Sequence, residues 1–425
     1  MLKNSTLFAI VLIAAGCSGD RLVSPPALFL RPGQPDPFAA VPADLQGPRV
    51  QVIYGTDRLK EGEGPDIYSI ERSESLAFGI CEVDIGKDLE WAAIRDASLG
   101  KAPHAVPLKL AGFRPEGVFP PTPMNLVRQG DRLVDDPKDV ADRDAAHAKL
   151  QALVSSQLAR VGRKEMVLFV HGVDTRLGET ALTAAQFWHY FGRDCVTAVY
   201  SWPAGNPGAL RGYTADREAG EFTIYHLKQF LRAVGSVPEL AKLHVVTHSR
   251  GTDIFTTALR ELHIENGSDP MRTRAALKLG NVVLAAPDLD LEVAQQRIGA
   301  ERAHLAPERF TIYSSDTDKA LSISNWLFEG VVRLGSLGLA GFNRESDEKK
   351  AKLATLTNFD LIAVQVKADS FGHSYFYLSP AVTSDLVLLL RDGRKPGAEN
   401  GRPLKPIAKN YWLLDESYPN FDAPK

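Results

Sequence analysis

The 425-residue chain has only three cysteines, Cys17, Cys81 and Cys195, and no Cys-x-x-Cys pair. That scarcity excludes a disulfide-knit scaffold and a zinc site of the ribbon or finger kind. An excess of one charge is missing too. Forty-nine Lys and Arg stand against 52 Asp and Glu, a formal net charge of -3, so generic nucleic-acid binding has no electrostatic basis. No His-Glu-x-x-His, Walker loop or strand-following Gly-x-Gly-x-x-Gly occurs, and no metal or other cofactor is implied. Long apolar runs are scarce as well. The one uninterrupted run, Leu7 to Gly16, is too short to span a bilayer as a stable helix. There is no internal repeat and no heptad run. With 44% hydrophobic and 24% charged residues, what remains is a soluble globular composition, long enough for one large domain or two ordinary ones.

The amino terminus does carry a pattern: Lys3, the apolar run, then small residues, the layout of a signal peptide. Ala14-Ala15-Gly16-Cys17 resembles a bacterial lipobox, with Ala14 where Leu is usual. The resemblance implies a palmitate-type lipid on Cys17, which becomes the new amino terminus, and attachment to a membrane through that lipid. Ser18 after the cysteine implies the bacterial outer membrane, facing the periplasm. An ordinary secretory signal cleaved near Ala15 is the plainer alternative.

Composition then divides the chain into residues 1–17 as signal peptide, 18–48 as a Pro-rich tether, 49–135 as a β-rich region, 136–392 as an α/β domain and 393–425 as a tail. Pro25, Pro26, Pro32, Pro35, Pro37, Pro42 and Pro48 suit an extended tether. Strand-like runs follow at Val50 to Tyr54, Leu76 to Ile85 and Val106 to Leu110. Helical spacing of Val140, Ala145, Ala148, Leu150, Leu153, Val154, Leu158 and Val161 predicts a long helix. After Lys164, apolar runs alternate with amphipathic stretches: strands at Met166 to Val170, Val196 to Ser201, Leu243 to Thr247, Val282 to Ala285, Phe310 to Tyr313 and Leu361 to Val366. Such runs between helices predict a mostly parallel sheet covered on both faces. Reactive side chains then gather at the carboxyl ends of its strands.

Thr247-His248-Ser249-Arg250-Gly251 runs from a strand into a helix, a tight turn that presents the Ser249 hydroxyl above the sheet. Alone, such a serine is as well explained as a helix cap. A base must come from the same edge, and of the three histidines after Ser249 only His373 follows a strand; His263 and His304 fall in helical stretches. The acid belongs on an intervening strand end. Asp318 leads because it follows the penultimate strand, with Asp316 and Asp288 as alternatives and Asp288 also readable as a helix N-cap. Oxyanion donors would be the backbone N–H groups of Arg250 and Val173, the latter in His171-Gly172-Val173-Asp174 after an earlier strand. Trp202 is a candidate wall of an acyl pocket or simply packing, and Trp326 to Phe342 a candidate cover or a plain surface helix and loop.

Val170-His171-Gly172, Tyr200-Ser201-Trp202-Pro203, His248-Ser249-Arg250-Gly251, Ala285-Ala286-Pro287-Asp288, Asp318-Lys319-Ala320-Leu321 and Gly372-His373-Ser374 together resemble the bacterial esterase-like α/β hydrolases catalogued as a domain of unknown function. Tyr54-Gly55-Thr56-Asp57-Arg58 and Phe78-Gly79-Ile80-Cys81-Glu82-Val83 extend the resemblance into the β-rich region. It implies an α/β-hydrolase fold and a serine hydrolase acting on a small-molecule or lipid ester through Ser249, His373 and Asp318, and it favours Asp318 over Asp316. A peptidase, an acyltransferase and an inactive envelope scaffold are the competing expectations. If Cys17 carries lipid, Cys81 and Cys195 remain, as a bridge or as separate buried thiols.

Overall fold

The computed structural model describes residues 20–421, apart from 63, 65, 66, 103, 104 and 323–331. The signal peptide with Cys17 and residues 326–331 of the candidate cover lie outside the described residues. Within them no helix is long and apolar enough to cross a membrane.

Strands β1 (Arg49–Lys60), β2 (Tyr68–Ile85) and β3 (Leu108–Val118) come first, followed by the separate hairpin β4 (Leu126–Gln129) and β5 (Arg132–Asp135). Helix α1 (Trp91–Ser98) sits between β2 and β3, and α2 (Pro137–Ala159) leads into the α/β part. There β6 (Glu165–Val170), α3 (Leu177–Tyr190), β7 (Val196–Ser201), α4 (Ala209–Gly235), β8 (Lys242–His248), α5 (Gly251–Glu265), α6 (Pro270–Leu277) and β9 (Leu279–Ala285) alternate. Strands β10 (Arg309–Ser314), β11 (Phe359–Gln365), β12 (Lys405–Ala408) and β13 (Tyr411–Asp415) finish the sheet.

Among the described residues, eleven strands form one sheet in the order β12-β13-β11-β10-β9-β8-β6-β7-β1-β2-β3. From β13 to β1 every pairing is parallel, and the antiparallel strands lie at the two edges. The central strands lack polar alternation because both faces are covered. Phe169 of β6 meets Phe187 of α3, whereas Tyr200 of β7 meets Phe230 of α4. Phe169 is in register with Val199, so Tyr200 faces the other way, and α3 and α4 lie on opposite faces. Strands β1 to β3 of the β-rich region therefore extend the parallel sheet and share its core.

Two expectations are corrected, and a third question that was left open is decided. Residues 20–48 are not an extended tether. Leu28, Phe29, Phe38, Val41 and Leu45 are buried, and Phe38 packs on Trp91 and His189. Residues 393–425 are not simply a tail, because β13 pairs with β11 and Arg402 is fully buried against Asp385 at 2.6 Å. Cys81 and Cys195 are separate buried thiols. Cys81 lies on β2 and Cys195 at the start of β7, with β1 between them. Two strand spacings of ~4.8 Å separate their strands by ~10 Å, beyond the ~7 Å Cα separation a disulfide can bridge. Burial pushes the Cys195 thiol up to about 11.

The packed amino-terminal segment has a measurable consequence. Phe38→Ala is expected to cost about 3–5 kcal/mol in urea unfolding, the range for emptying a buried phenylalanine site. An unchanged midpoint would return this segment to the tether reading.

Candidate active site

Between the last residue of β8, His248, and the first of α5, Gly251, only two residues turn the chain. Ser249 takes them through a left-handed backbone, φ 52°, a conformation costing about 1–3 kcal/mol for a residue with a side chain. The turn is held from β9: the Ser249 amide donates to the Ala285 carbonyl at 3.0 Å, and the Asp288 amide donates to the Ser249 carbonyl at 3.2 Å. The loop after β6 closes on its other side. A Cβ at Gly172 would stand 2.8 Å from the Ser249 Cβ, and one at Gly251 would stand 2.2 Å from the His171 carbonyl oxygen. Both contacts require glycine.

His373 follows β11 and Asp318 follows β10, on neighbouring parallel strands. Nδ1 of His373 donates to Oδ2 of Asp318 at 2.6 Å, and Asp318 is 1% exposed. Burial opposes protonation of His373, but the Asp318 charge and hydrogen bond, with Asp288 and Asp369 adding to them, raise it above the ordinary imidazole value. The His373 ring lies 4.7 Å from that of His248, the residue preceding Ser249. The sheet thus brings Ser249, His373 and Asp318 to one edge.

The alternative acids are occupied elsewhere. Asp316 accepts from the amides of Ala340 at 2.8 Å and Gly341 at 3.4 Å, at the start of the helix Leu339–Arg344. Asp288 pairs with Arg333 at 3.2 Å and accepts from the Tyr213 hydroxyl at 2.5 Å. The N-cap role read for Asp288 belongs to Asp290, which accepts from the amides of Glu292 and Val293. Among the described residues, the amides of Val173 and Arg250 bind no acceptor, which leaves both available to an oxyanion. Trp202 is packed into the core. It is fully buried, stacks on His171 at 5.2 Å and donates Nε1 to the His171 carbonyl at 2.8 Å.

The family model described as an alpha/beta hydrolase of unknown function (DUF900) matches residues 146–391, more than half the chain. The chain belongs to this family. No curated protein and no solved structure matches it. Membership makes the protein an α/β hydrolase by fold and superfamily, in agreement with the parallel sheet and the edge described above.

Several residues that shape this α/β-hydrolase edge carry little signal in the sequence. Arg58 of β1 is 1% exposed and reaches across the sheet to the loops after β6 and β7. Its guanidinium donates to the carbonyls of Thr175 at 2.6 Å and Ala204 at 2.8 Å, and to Ser201 Oγ at 3.0 Å. With His171 Nδ1 donating to the Gly172 carbonyl at 2.7 Å, its Nε2 accepts from Ser201 Oγ at 3.0 Å. Burial, then the Arg58 charge, hold His171 well below the ordinary imidazole value and keep it neutral. Asp369 gathers the amides of Phe371, Gly372 and Ser374 at 2.6–2.7 Å and so shapes the loop carrying His373. A carboxylate two residues before a glycine-containing turn is the signal that would have found it.

His373 therefore titrates above about 6.5, the free imidazole value, and Asp318→Asn lets burial lower it. An NMR titration of the histidine ring nitrogens checks this; a His373 value unmoved by Asp318→Asn would contradict it.

Proposed function

We propose that the protein is a serine hydrolase that cleaves carboxylic esters through an acyl-enzyme. The observation that carries this reading is the 2.6 Å bond from His373 to a fully buried Asp318, formed between two strand ends beside a serine in a left-handed turn. In the proposed reaction His373 takes the Ser249 proton as Oγ attacks the ester carbonyl carbon. The resulting oxyanion accepts from the amides of Arg250 and Val173. Collapse breaks the ester C–O bond, and His373 gives its proton to the departing alcohol. Water then attacks the acyl-enzyme with His373 again as base, releasing the acid and restoring Ser249. Asp318 fixes the ring orientation and stabilises the imidazolium.

Hydrolysis of short-chain 4-nitrophenyl esters tests this. Ser249→Ala is expected to lower kcat/KM by at least about 10³-fold. The base must be neutral, so kcat/KM rises with pH through the raised ionisation of His373. Activity surviving in Ser249→Ala would overturn the reading. Faster turnover of peptides, or of acyl acceptors other than water, would move the same machinery to peptidase or acyltransferase chemistry. Failure to turn over any substrate would favour a binding scaffold.

We also propose that the enzyme is lipid-anchored at Cys17 in the bacterial envelope, on the periplasmic side of the outer membrane. The lipobox-like Ala14-Ala15-Gly16-Cys17 supports this. The folded body is joined by Asp20, whose carbonyl accepts from the Leu108 amide at 2.8 Å, so the anchor would hold the enzyme close to the membrane. Cells fed labelled palmitate should label the wild type and not Cys17→Ser, which should also leave the membrane fraction. Equal membrane retention of the two proteins would refute the anchor.

A further inference from the structure

A cleft of about 210 Å³ opens next to the Ser249 turn, lined by side chains from α4, from the start of α5 and from the segment after β9. Arg250, the residue that follows the proposed nucleophile, is part of that lining. Arg250 is only 4% exposed. One terminal nitrogen pairs with Asp253 at 2.7 Å, while its Nε is buried with no hydrogen-bond partner among the described residues. Leaving such a donor unmatched is costly, so a small shift that gave it an acceptor would be favoured. Burial opposes the Arg250 charge, but Asp253, Asp288, Tyr213 and Glu221 hold it firmly protonated.

The carboxylates around the cleft are largely committed to the protein. Asp253 is bound by Arg250, Asp288 by Arg333 and Tyr213, and Asp290 by the amides of residues 292 and 293. Glu221 is 3.7 Å from Arg250 and mostly exposed. Arg297 stands exposed in the cleft lining, with no ion-pair partner among the described residues. A guanidinium with an unmatched N–H and a second, exposed guanidinium without an ion-pair partner among the described residues line the same cleft, and guanidinium groups are the donors that oxyanions favour. A cleft of about 210 Å³ has room for an acidic arm of a few heavy atoms.

We infer that this cleft is a subsite for an oxyanionic group, carboxylate or phosphate, carried by the substrate a few bonds from its scissile ester. The substrate assignment rests on the serine-hydrolase reading; the binding of the anion does not. The subsite would therefore select acidic esters over neutral ones of equal length.

The experiment compares kcat/KM for mono-4-nitrophenyl glutarate with that for 4-nitrophenyl butyrate at low ionic strength. The wild type is expected to favour the acidic ester at least tenfold, and Arg297→Gln and Arg250→Gln to lower that ratio severalfold. Arg297 is exposed, so its variant keeps the test valid if Arg250→Gln misfolds. Turnover of both esters with no acidic preference would overturn the subsite while sparing the hydrolase. If neither ester is turned over, the deciding readout is thermal unfolding of Ser249→Ala protein with glutarate, with methyl phosphate, or with neutral glutaramide. A rise in Tm with an anion, absent with the amide and lost when Arg297→Gln is added, sustains the subsite although the hydrolase reading falls; which anion acts tells carboxylate from phosphate. No such rise would overturn the subsite.

Discussion

A left-handed backbone at Ser249 is unfavourable by itself, and the architecture around it follows from the need to hold it there. The Ala285 carbonyl receives the Ser249 amide and the Asp288 amide returns to the Ser249 carbonyl, so the end of β9 grips the turn from one side. Gly172 and Gly251 let the loop after β6 grip it from the other. That loop is held in turn by Arg58, a side chain delivered from β1. The amino-terminal strands thereby become part of this edge, because Arg58 of β1 supports the loop that carries Val173, whose amide is the proposed oxyanion donor.

Three buried or half-buried histidines crowd this edge, and their surroundings separate their roles. His171 and His248 are held neutral, first by burial and then by nearby positive or titratable neighbours. His248 stacks on Phe376 and contacts the His373 carbonyl through Nε2 at 3.2 Å, supporting the loop from beneath. Of these three, His373 alone has a carboxylate on Nδ1, and its ionisation alone is raised. Tyr375 completes the frame: its hydroxyl donates to the Tyr313 carbonyl at 2.9 Å and accepts from the Ala286 amide at 3.1 Å. The histidine loop is thus tied to both strand ends that carry the acid and the elbow support.

The parallel strands were legible because a strand buried on both faces reads as a continuous apolar run, and the order Ser249, Asp318, His373 followed from where those runs end. What escaped was set by lateral packing. Phe29 and Phe38 stand among prolines without periodicity, yet they find a hydrophobic surface made by α1 and α3. The short run at Tyr411 to Leu414 gains strand status from its neighbours β11 and β12. Whether Cys81 reaches Cys195 depends on which strand lies between them, and one-dimensional spacing does not contain that. Arg58 likewise looks like a surface charge until Ser201, Thr175 and Ala204 are seen to surround it.

The central claim is that Ser249 is an activated nucleophile, and reaction of the folded protein with a fluorophosphonate, followed by tandem mass spectrometry, tests it most directly. The adduct should sit on Ser249, vanish in Ser249→Ala, and form more slowly as pH falls through the His373 ionisation. A folded protein that fails to react, or one modified elsewhere to the same extent when Ser249 is replaced, would contradict it.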